Sequence, residues 1–191
     1  MHKPPITRFL CLDLEMNQPS GSIIQIGAVV GDIETKQIID KLSIIVRQPE
    51  VVSDYIVSLT GITQDQVNNG VDLYSAYLQL ISFIQHHNPF VNPVTWGGAD
   101  SEELKKQVYS YCIENNITQP ESWCFGRRWI DTKTIFVSLR FANKQQIQGG
   151  LSRSMVKMGL KFKGRKHDAA DDAENTFYMY CSLLERLKDV T

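Results

Sequence analysis

The stretch FLCLDLEM, residues 9–16, is a short apolar run whose second half alternates with two acidic residues. Two further runs rich in β-branched residues follow, IIQIGAVVGDI at 23–33 and IIDKLSIIV at 38–46, and four polar residues separate them. This succession predicts a meander of three antiparallel strands. Helical and strand-like segments then alternate to the end of the chain. The order predicts an α/β fold, with a central mixed β-sheet of about five strands flanked by helices.

The later elements are predicted from hydrophobic period and from capping residues. The segment 90–96 resembles a strand, and Pro93 inside it favours an edge or irregular strand. Residues 129–136 resemble a strand that runs into a helix. Helices are predicted over residues 53–59, 73–87, 100–114, 151–158 and 168–187.

Composition limits the class of protein. The 191 residues carry a net charge of −1, and 42% of them are hydrophobic. This length fits one domain with its own core, so residues 1–191 are expected to form a single domain. The balanced composition excludes a disordered or fibrous chain. Neutral net charge also argues against a strongly basic protein that coats nucleic acid.

Cysteine spacing and hydropathy indicate the compartment. The four cysteines form no C-x-x-C pair and match no zinc-ligand spacing. No signal-like apolar segment opens the chain, and no run of about 18 apolar residues occurs. We therefore expect reduced thiols, no membrane partner and a cytoplasmic location.

Asp13 and Glu15 are two residues apart on the first predicted strand, so both side chains should leave the same face of the sheet. Two adjacent carboxylates at a buried strand end are costly unless a cation neutralises them. A bound metal is one explanation. A strand end at which both carboxylates reach water is the other.

Asp100 also has two possible roles. It follows VTWGGA and precedes a predicted helix, where an N-cap aspartate with Glu103 three residues later would form a capping box. Alternatively, its carboxylate points across to Asp13 and Glu15. The sequence leaves both orientations open.

The segment KHDAADDA, residues 166–173, begins the last predicted helix. Asp171 heads a polar row through Asn175 that is expected to face solvent. Asp172 lies at the border of the apolar row, behind small alanines that allow the helix to approach the sheet, and there it needs a cationic partner. His167 lies just before the first turn and, taken alone, is compatible with an exposed loop histidine.

Together these residues carry more information than each alone. Asp13-x-Glu15 on a first strand, a W-G-x-x-D motif ending in Asp100, and an H-x4-D motif joining His167 to Asp172 resemble the pattern of the DEDDh 3′-to-5′ exonucleases. That DnaQ-like family has a ribonuclease H-like fold. The likeness spans nearly the whole chain and includes SLTGIT at 58–63. The segment 151–167, which ends in LKFKGRKH, is most similar to Eri-type and KapD-type members.

The resemblance implies a two-metal mechanism with Mg²⁺ or Mn²⁺, for which hard carboxylate oxygens are suitable ligands. It implies that Asp13 bridges both ions and that Glu15 and Asp172 complete one site. Asp100 would hold the second ion mostly through water. His167 would take a proton from the attacking water, a role that suits imidazole near neutral pH.

The distribution of charge indicates a path for a nucleic-acid strand. Eight basic residues and no acidic residue lie between 140 and 166, directly before the histidine of the H-x4-D motif. Arg165 and Lys166 are candidate phosphate contacts, although a solvated charged face has the same appearance. Met16 and Trp96 are candidates for packing on terminal bases. A core position is an equally good explanation for Trp96.

The favoured function is a metal-dependent exonuclease that releases nucleoside 5′-monophosphates from single-stranded 3′ ends, with RNA preferred and DNA possible. A proofreading-like DNA exonuclease and an inactive binding module of the same fold are the alternatives. The segment after Glu15 departs from proofreading members, which usually have Thr-Gly there. Both a monomer and a homodimer are compatible with the sequence. Two divalent ions would raise the net charge from −1 to +3, so nucleic-acid binding should be local and metal-dependent.

Overall fold

A computed structural model of the chain describes residues 6–188. The two ends of the predicted 1–191 domain therefore lie outside the described residues. The same is true of the first residues of the N-terminal segment, where no signal peptide is expected. Five strands form one mixed sheet in the order β3-β2-β1-β4-β5. The strands are β1 (Arg8–Met16), β2 (Ile23–Asp32), β3 (Gln37–Ile45), β4 (Val94–Thr95) and β5 (Ile130–Asp131).

Seven helices surround the sheet within the described range, and none of them is long and apolar enough to cross a membrane. The predicted mixed sheet flanked by helices is confirmed. The helices are α1 (Asp54–Thr60), α2 (Gln64–Asn68), α3 (Leu73–His87), α4 (Asp100–Glu114), α5 (Thr132–Ala142), α6 (Leu151–Lys157) and α7 (Ala169–Lys188).

The first three strands form the predicted antiparallel meander, and β4 and β5 continue the sheet parallel to β1. In the β1–β2 register Asp13 lies opposite Gly27 and Glu15 lies opposite Gln25. Because β1 and β4 are parallel, their carboxyl ends meet at one edge of the sheet. The chain therefore brings the end of β1 and the segment after β4 to the same place.

The two faces of the sheet are covered by different helices. Even-numbered residues of β1, such as Leu10 and Leu12, belong to an apolar core that includes residues of α3 and α4. The odd-numbered Cys11 packs instead with Phe177 of α7. This alternation sends Asp13 and Glu15 to the α7 face, as their spacing predicts.

Helix α7 approaches the sheet at backbone distance. Ala169 and Ala170 at its start are fully buried, and a methyl group on Gly27 would overlap the backbone of both residues. Further along, a methyl group on Gly31 would overlap the ring of Phe177. Small residues on both elements are therefore what brings the start of α7 onto β2.

Three details differ from the sequence-based expectations. The strand expected over 90–96 is only two residues long, and it lies between β1 and β5 rather than at an edge, with Pro93 just before it. Helix α2 was not predicted, although Thr63 and Gln66 form its capping box. The expectation of a solvated row behind Asp171 is wrong at Asn175, which is fully buried.

We predict that Gly27→Ala destabilises the protein by at least about 1–3 kcal/mol, because the added methyl group can be accommodated only by moving α7 away from β2. Equilibrium unfolding in urea measures the change. Gly98→Ala is the matched control, since a methyl group there meets only Trp129 Nε1 at 3.6 Å. Equal stability of the two variants would contradict the proposed close packing.

Candidate active site

The site lies at the carboxyl end of β1. Asp13 is half-buried, and Glu15 is only 8% exposed. Met16 ends the strand and packs on the opposite side, against the core that contains Leu12 and Leu14. The two carboxylates therefore face α7, while the neighbouring Met16 is partly used in the core.

Asp100 belongs to this group and does not cap its own helix. It is the first residue of α4, where Ala99 occupies the N-cap position without a side-chain cap bond, so the capping-box alternative is wrong. Glu103 instead accepts a hydrogen bond from Gln107 Nε2 at 2.8 Å. The Asp100 carboxylate raises the pKa of Asp13, which places the two groups within electrostatic reach of each other.

The start of α7 holds the remaining two predicted residues. Asp168 Oδ1 accepts the backbone N–H groups of Ala170 and Asp171, both at 3.1 Å, and so caps the first turn. His167 adopts a left-handed conformation with φ of 61°, and its backbone N–H donates to Asp172 Oδ2 at 3.2 Å. The capped first turn of α7 and the left-handed backbone of His167 bring this histidine and Asp172 together.

Potential ligand atoms of Glu15, His167 and Asp172 all lie within 4.8 Å of one another. The imidazole is exposed, while the two carboxylates are buried or half-buried. Such a group of oxygen and nitrogen donors can hold a metal ion.

Burial and neighbouring carboxylates make the ionised forms of the acidic residues in this site costly. Burial raises the pKa of Glu15 to about 7 and that of Asp100 to about 7, and neighbouring carboxylates contribute to both. Burial likewise raises the pKa of Asp172 to about 6, although the N–H of His167 opposes the shift. The pKa of Asp13 rises well above its ordinary value through burial and through Asp100, Asp172 and Glu15. A divalent cation would stabilise all four ionised carboxylates at once.

Asp171 lies one residue away and adds to the raised pKa of Asp172, but its carboxylate bonds to groups outside the cluster. Its carboxylate pairs with Lys41 of β3 and accepts the backbone N–H of Arg165 at 2.6 Å. The buried Asn175 exchanges hydrogen bonds with the backbone of Lys163. Two residues of the polar row that was expected to face solvent therefore hold the loop before His167 against α7.

The four predicted substrate contacts divide into two groups. Trp96 is half-buried, packs on Phe136 with ring centroids 5.9 Å apart, and lines a cavity together with Lys166, His167 and Asp172. Arg165 is exposed, and its guanidinium lies directly against Gly61 at the end of α1. Met16 and Arg165 do not line that cavity.

Sequence reasoning missed Gln25, which connects the sheet to the start of α7. It is only 2% exposed, its Oε1 accepts the N–H of Ala169 at 3.0 Å, and its Nε2 donates to Asp168 Oδ2 at 2.9 Å. Nε2 also lies 3.1 Å from Ser43 Oγ on β3. The available signal was one polar residue inside the otherwise apolar run IIQIGAVV, because a buried amide requires polar partners.

Comparison with known proteins gives the family. The sequence model described as Exonuclease (RNase_T) matches residues 10–180, which include all five residues of the predicted constellation. The chain belongs to this exonuclease family. The likeness to DEDDh 3′ exonucleases inferred from the motifs is thus confirmed.

Among curated relatives, human "ERI1 exoribonuclease 2" is 27% identical over 172 residues, which are 82% of this exonuclease-family chain and 24% of the human protein. Mouse "3'-5' exoribonuclease 1" is 27% identical over 180 residues, 85% of this chain and 47% of the mouse protein. The chain thus spans from about a quarter to about half of the length of these relatives.

A solved structure shows the same fold. The nuclease domain of 3'hExo, described as a DEDDh family member bound to rAMP, superposes with a TM-score of 0.75 at 23% identity. The match covers 97% of this exonuclease-family chain and 95% of that domain.

We predict that stability of the metal-free protein falls as pH rises from about 4.5 to about 7. Unfolded Glu15 releases its proton near pH 4.5, whereas folded Glu15 retains it to about pH 7, so the contribution of the protonated carboxyl to stability is lost across this range. Glu15→Gln should remove on the order of 2–3 kcal/mol of this loss. Urea unfolding in EDTA across this range measures it.

The matched control for that experiment is Glu102→Gln, an exposed position on α4 that should keep the pH dependence of the unaltered protein. An unchanged pH slope in Glu15→Gln would contradict the crowding of the carboxylates.

We also predict that Gln25→Met loosens the start of α7. The substitution leaves the buried N–H of Ala169 without a partner, which costs about 1–3 kcal/mol. Amide hydrogen exchange should accelerate over residues 169–172. Ser43→Ala removes only the contact of Gln25 to β3 and should leave this exchange unchanged, and equal acceleration in both variants would argue against the role of Gln25 at α7.

Proposed function

We propose that this chain is a metal-dependent 3′-to-5′ exonuclease that releases nucleoside 5′-monophosphates from single-stranded ends. One observation carries the proposal: ligand atoms of Glu15, His167 and Asp172 lie within 4.8 Å of one another in a chain of an exonuclease family. Asp13 and Asp100 lie within electrostatic reach of this group. Metal-dependent phosphodiester hydrolysis uses such a combination of metal-binding carboxylates and a group that accepts a proton.

Asp13, Glu15, Asp100 and Asp172 fit two divalent ions by the chemistry of their donors. Burial, with neighbouring carboxylates, raises their pKa values, so the ionised forms are costly without a cation. Carboxylate oxygens are the ligands that Mg²⁺ and Mn²⁺ prefer. We assign Glu15 and Asp172 to one ion, Asp100 to the other, and Asp13 to both. When bound, such ions neutralise charge on the phosphate and on the oxygen that leaves.

His167 is proposed as the base that accepts a proton from the attacking water. The ring is exposed and lies beside Glu15 and Asp172, so its nitrogen can reach a water at the edge of the acidic cluster. The hydrogen bond from its backbone N–H to Asp172 Oδ2 holds the residue beside the acidic cluster.

We propose RNA as the preferred substrate and DNA as a weaker one. Names of curated relatives such as "ERI1 exoribonuclease 2" support RNA. The basic segment 140–166 supports a polyanionic partner, since none of its eight cations forms an ion pair with a described acidic residue. Met16 and Trp96 are proposed to contact terminal bases, and Arg165 and Lys166 to contact phosphates.

The remaining expectations are part of the same proposal. We propose that residues 1–191 act as a single exonuclease domain in the cytoplasm, where the four cysteines, all free in the structure, remain reduced. The assembly is a monomer or a homodimer.

We predict that His167→Ala lowers the rate of cleavage by about 10²- to 10⁴-fold, because the attacking water loses its base. Asp172→Ala should abolish cleavage through loss of metal. Single-stranded RNA and DNA carrying a label at either the 3′ or the 5′ end, incubated with Mg²⁺, Mn²⁺ or EDTA, provide the measurement. The 3′ label should be released first and only with metal.

His86→Ala, at an exposed position near the end of α3, is the control and should retain full activity. Circular dichroism establishes that each variant is folded. Near-normal cleavage by His167→Ala or Asp172→Ala would overturn the assignment. Metal-dependent binding by the unaltered protein without cleavage would instead favour an inactive binding module, and faster cleavage of DNA would favour the proofreading-like alternative.

A further inference from the structure

The loop that joins α6 to α7 carries His167 near its end and has no regular secondary structure. All of residues 161–167 except Phe162 are exposed, so burial in the core fixes little of this loop. Three of its backbone N–H groups, those of Lys163, Arg165 and His167, donate instead to side chains of α7. Within the part of the chain that the structure describes, no N–H of residues 161–167 donates to a backbone carbonyl. Side chains of α7 therefore determine the path of the loop.

The three hydrogen bonds place the loop in one register along α7. They join Lys163 N–H to Asn175 Oδ1 at 2.9 Å, Arg165 N–H to Asp171 Oδ2 at 2.6 Å, and His167 N–H to Asp172 Oδ2 at 3.2 Å. Asn175 lies about one turn further along α7 than Asp171, so the loop runs toward the start of the helix as it approaches His167. A slip of an extended segment by one residue would displace His167 by about 3.3 Å.

Asn175 holds the first of these points. It is fully buried, and its Nδ2 donates to Lys163 O at 2.8 Å and to Asp171 O at 2.7 Å, while its Oδ1 accepts from Lys163. A side-chain amide supplies this acceptor and both donors, whereas a carboxylate only accepts and an aliphatic side chain does neither. The side chain of Lys163 adds to the contact, with Nζ 3.9 Å from the centre of the Tyr178 ring. Because a buried amide without partners is costly, these bonds hold the loop closely against α7.

Asp171 holds the second point. Its carboxylate pairs with Lys41 of β3, and Lys41 Nζ also lies 3.0 Å from Glu174 Oε2. Gly164 passes over this carboxylate with φ of 73°, and a methyl group there would overlap it. The left-handed backbone and the close approach both favour glycine at this position. The loop is thereby connected through Asp171 to the edge strand of the sheet.

We propose that Asn175 and Asp171 are positioning residues for His167. They act through the backbone of the loop and set where the imidazole lies beside Glu15 and Asp172. This inference rests on the proposed exonuclease function and explains how an exposed histidine can take a proton from a water at a defined place. Orientation of a reacting group contributes to the rate, and an error of about 1 Å can cost about 100-fold.

Substitutions of the two residues test the proposal on a single-stranded RNA octamer with a 3′ label. Asn175→Ala and Asp171→Ala should each lower kcat by roughly 10- to 100-fold, with KM changed by less than about twofold. Asp171→Asn keeps an oxygen that accepts the Arg165 N–H, so it should restore most of the rate that Asp171→Ala loses. In both alanine variants, without metal, amide hydrogen exchange should accelerate over residues 163–165.

Glu174→Ala and Leu183→Ala are the matched controls on the same helix. Glu174 pairs with Lys41 as Asp171 does, but in the described structure it forms no hydrogen bond with residues 161–167. Its substitution should leave kcat and the exchange of the loop unchanged. Leu183 is fully buried two turns beyond Asn175, and its truncation should lower stability while the folded protein keeps its kcat. This comparison separates loss of stability from loss of position.

The decisive comparison uses the His167→Ala protein as background. Because Asn175 acts through His167, Asn175→Ala should lower the residual kcat of this protein by less than about twofold. An equal fold-loss in both backgrounds would mean that Asn175 supports the acidic cluster or the fold, and would overturn the positioning role.

Unchanged kcat in Asn175→Ala and Asp171→Ala would also overturn the positioning role, while the exonuclease stands. Equal loss in Asp171→Asn and Asp171→Ala would attribute the effect to charge and overturn the role of Asp171. Failure of the unaltered protein to release the 3′ label with metal would overturn the proposed function, and the positioning role together with it.

Discussion

The contact between the start of α7 and strand β2 is the constraint on which the site depends. Gly27 leaves no side chain between the sheet and the backbone of Ala169, and Gln25 bonds to the first turn at two points. Helix α7 carries Asp172, and His167 comes just before Asp168, the residue that caps this helix. A shift of this helix would therefore separate both residues from Asp13 and Glu15 on β1.

This packing has an electrostatic consequence. Close approach brings Asp172 toward Asp13 and Glu15, and its charge adds to the rise in pKa that burial causes in both groups. Glycine, alanine and glutamine contacts hold together groups that repel one another. The apolar cores on both faces of the sheet stabilise the elements that carry the charges, and this offsets the free energy that the repulsion costs.

The site combines an acidic cluster with nearby cations. Lys133, Arg153 and Lys166 are exposed and line the same cavity as His167 and Asp172, and none of the three is paired with a carboxylate within residues 6–188. Net charge, close to zero for the whole chain, does not reveal this local distribution because it sums acids and cations over the whole sequence.

Hydrophobic period and strand alternation are local properties, so the amino-acid pattern was enough to predict the meander, the long helices and the shared face of Asp13 and Glu15. Motif order was enough to identify the exonuclease family. The three-dimensional packing was needed to show that Asp100 does not cap α4, that Asn175 is buried, and that Gln25 bonds to the start of α7. These facts depend on contacts between residues distant in the chain, and the period of a single element carries no information about what packs against it.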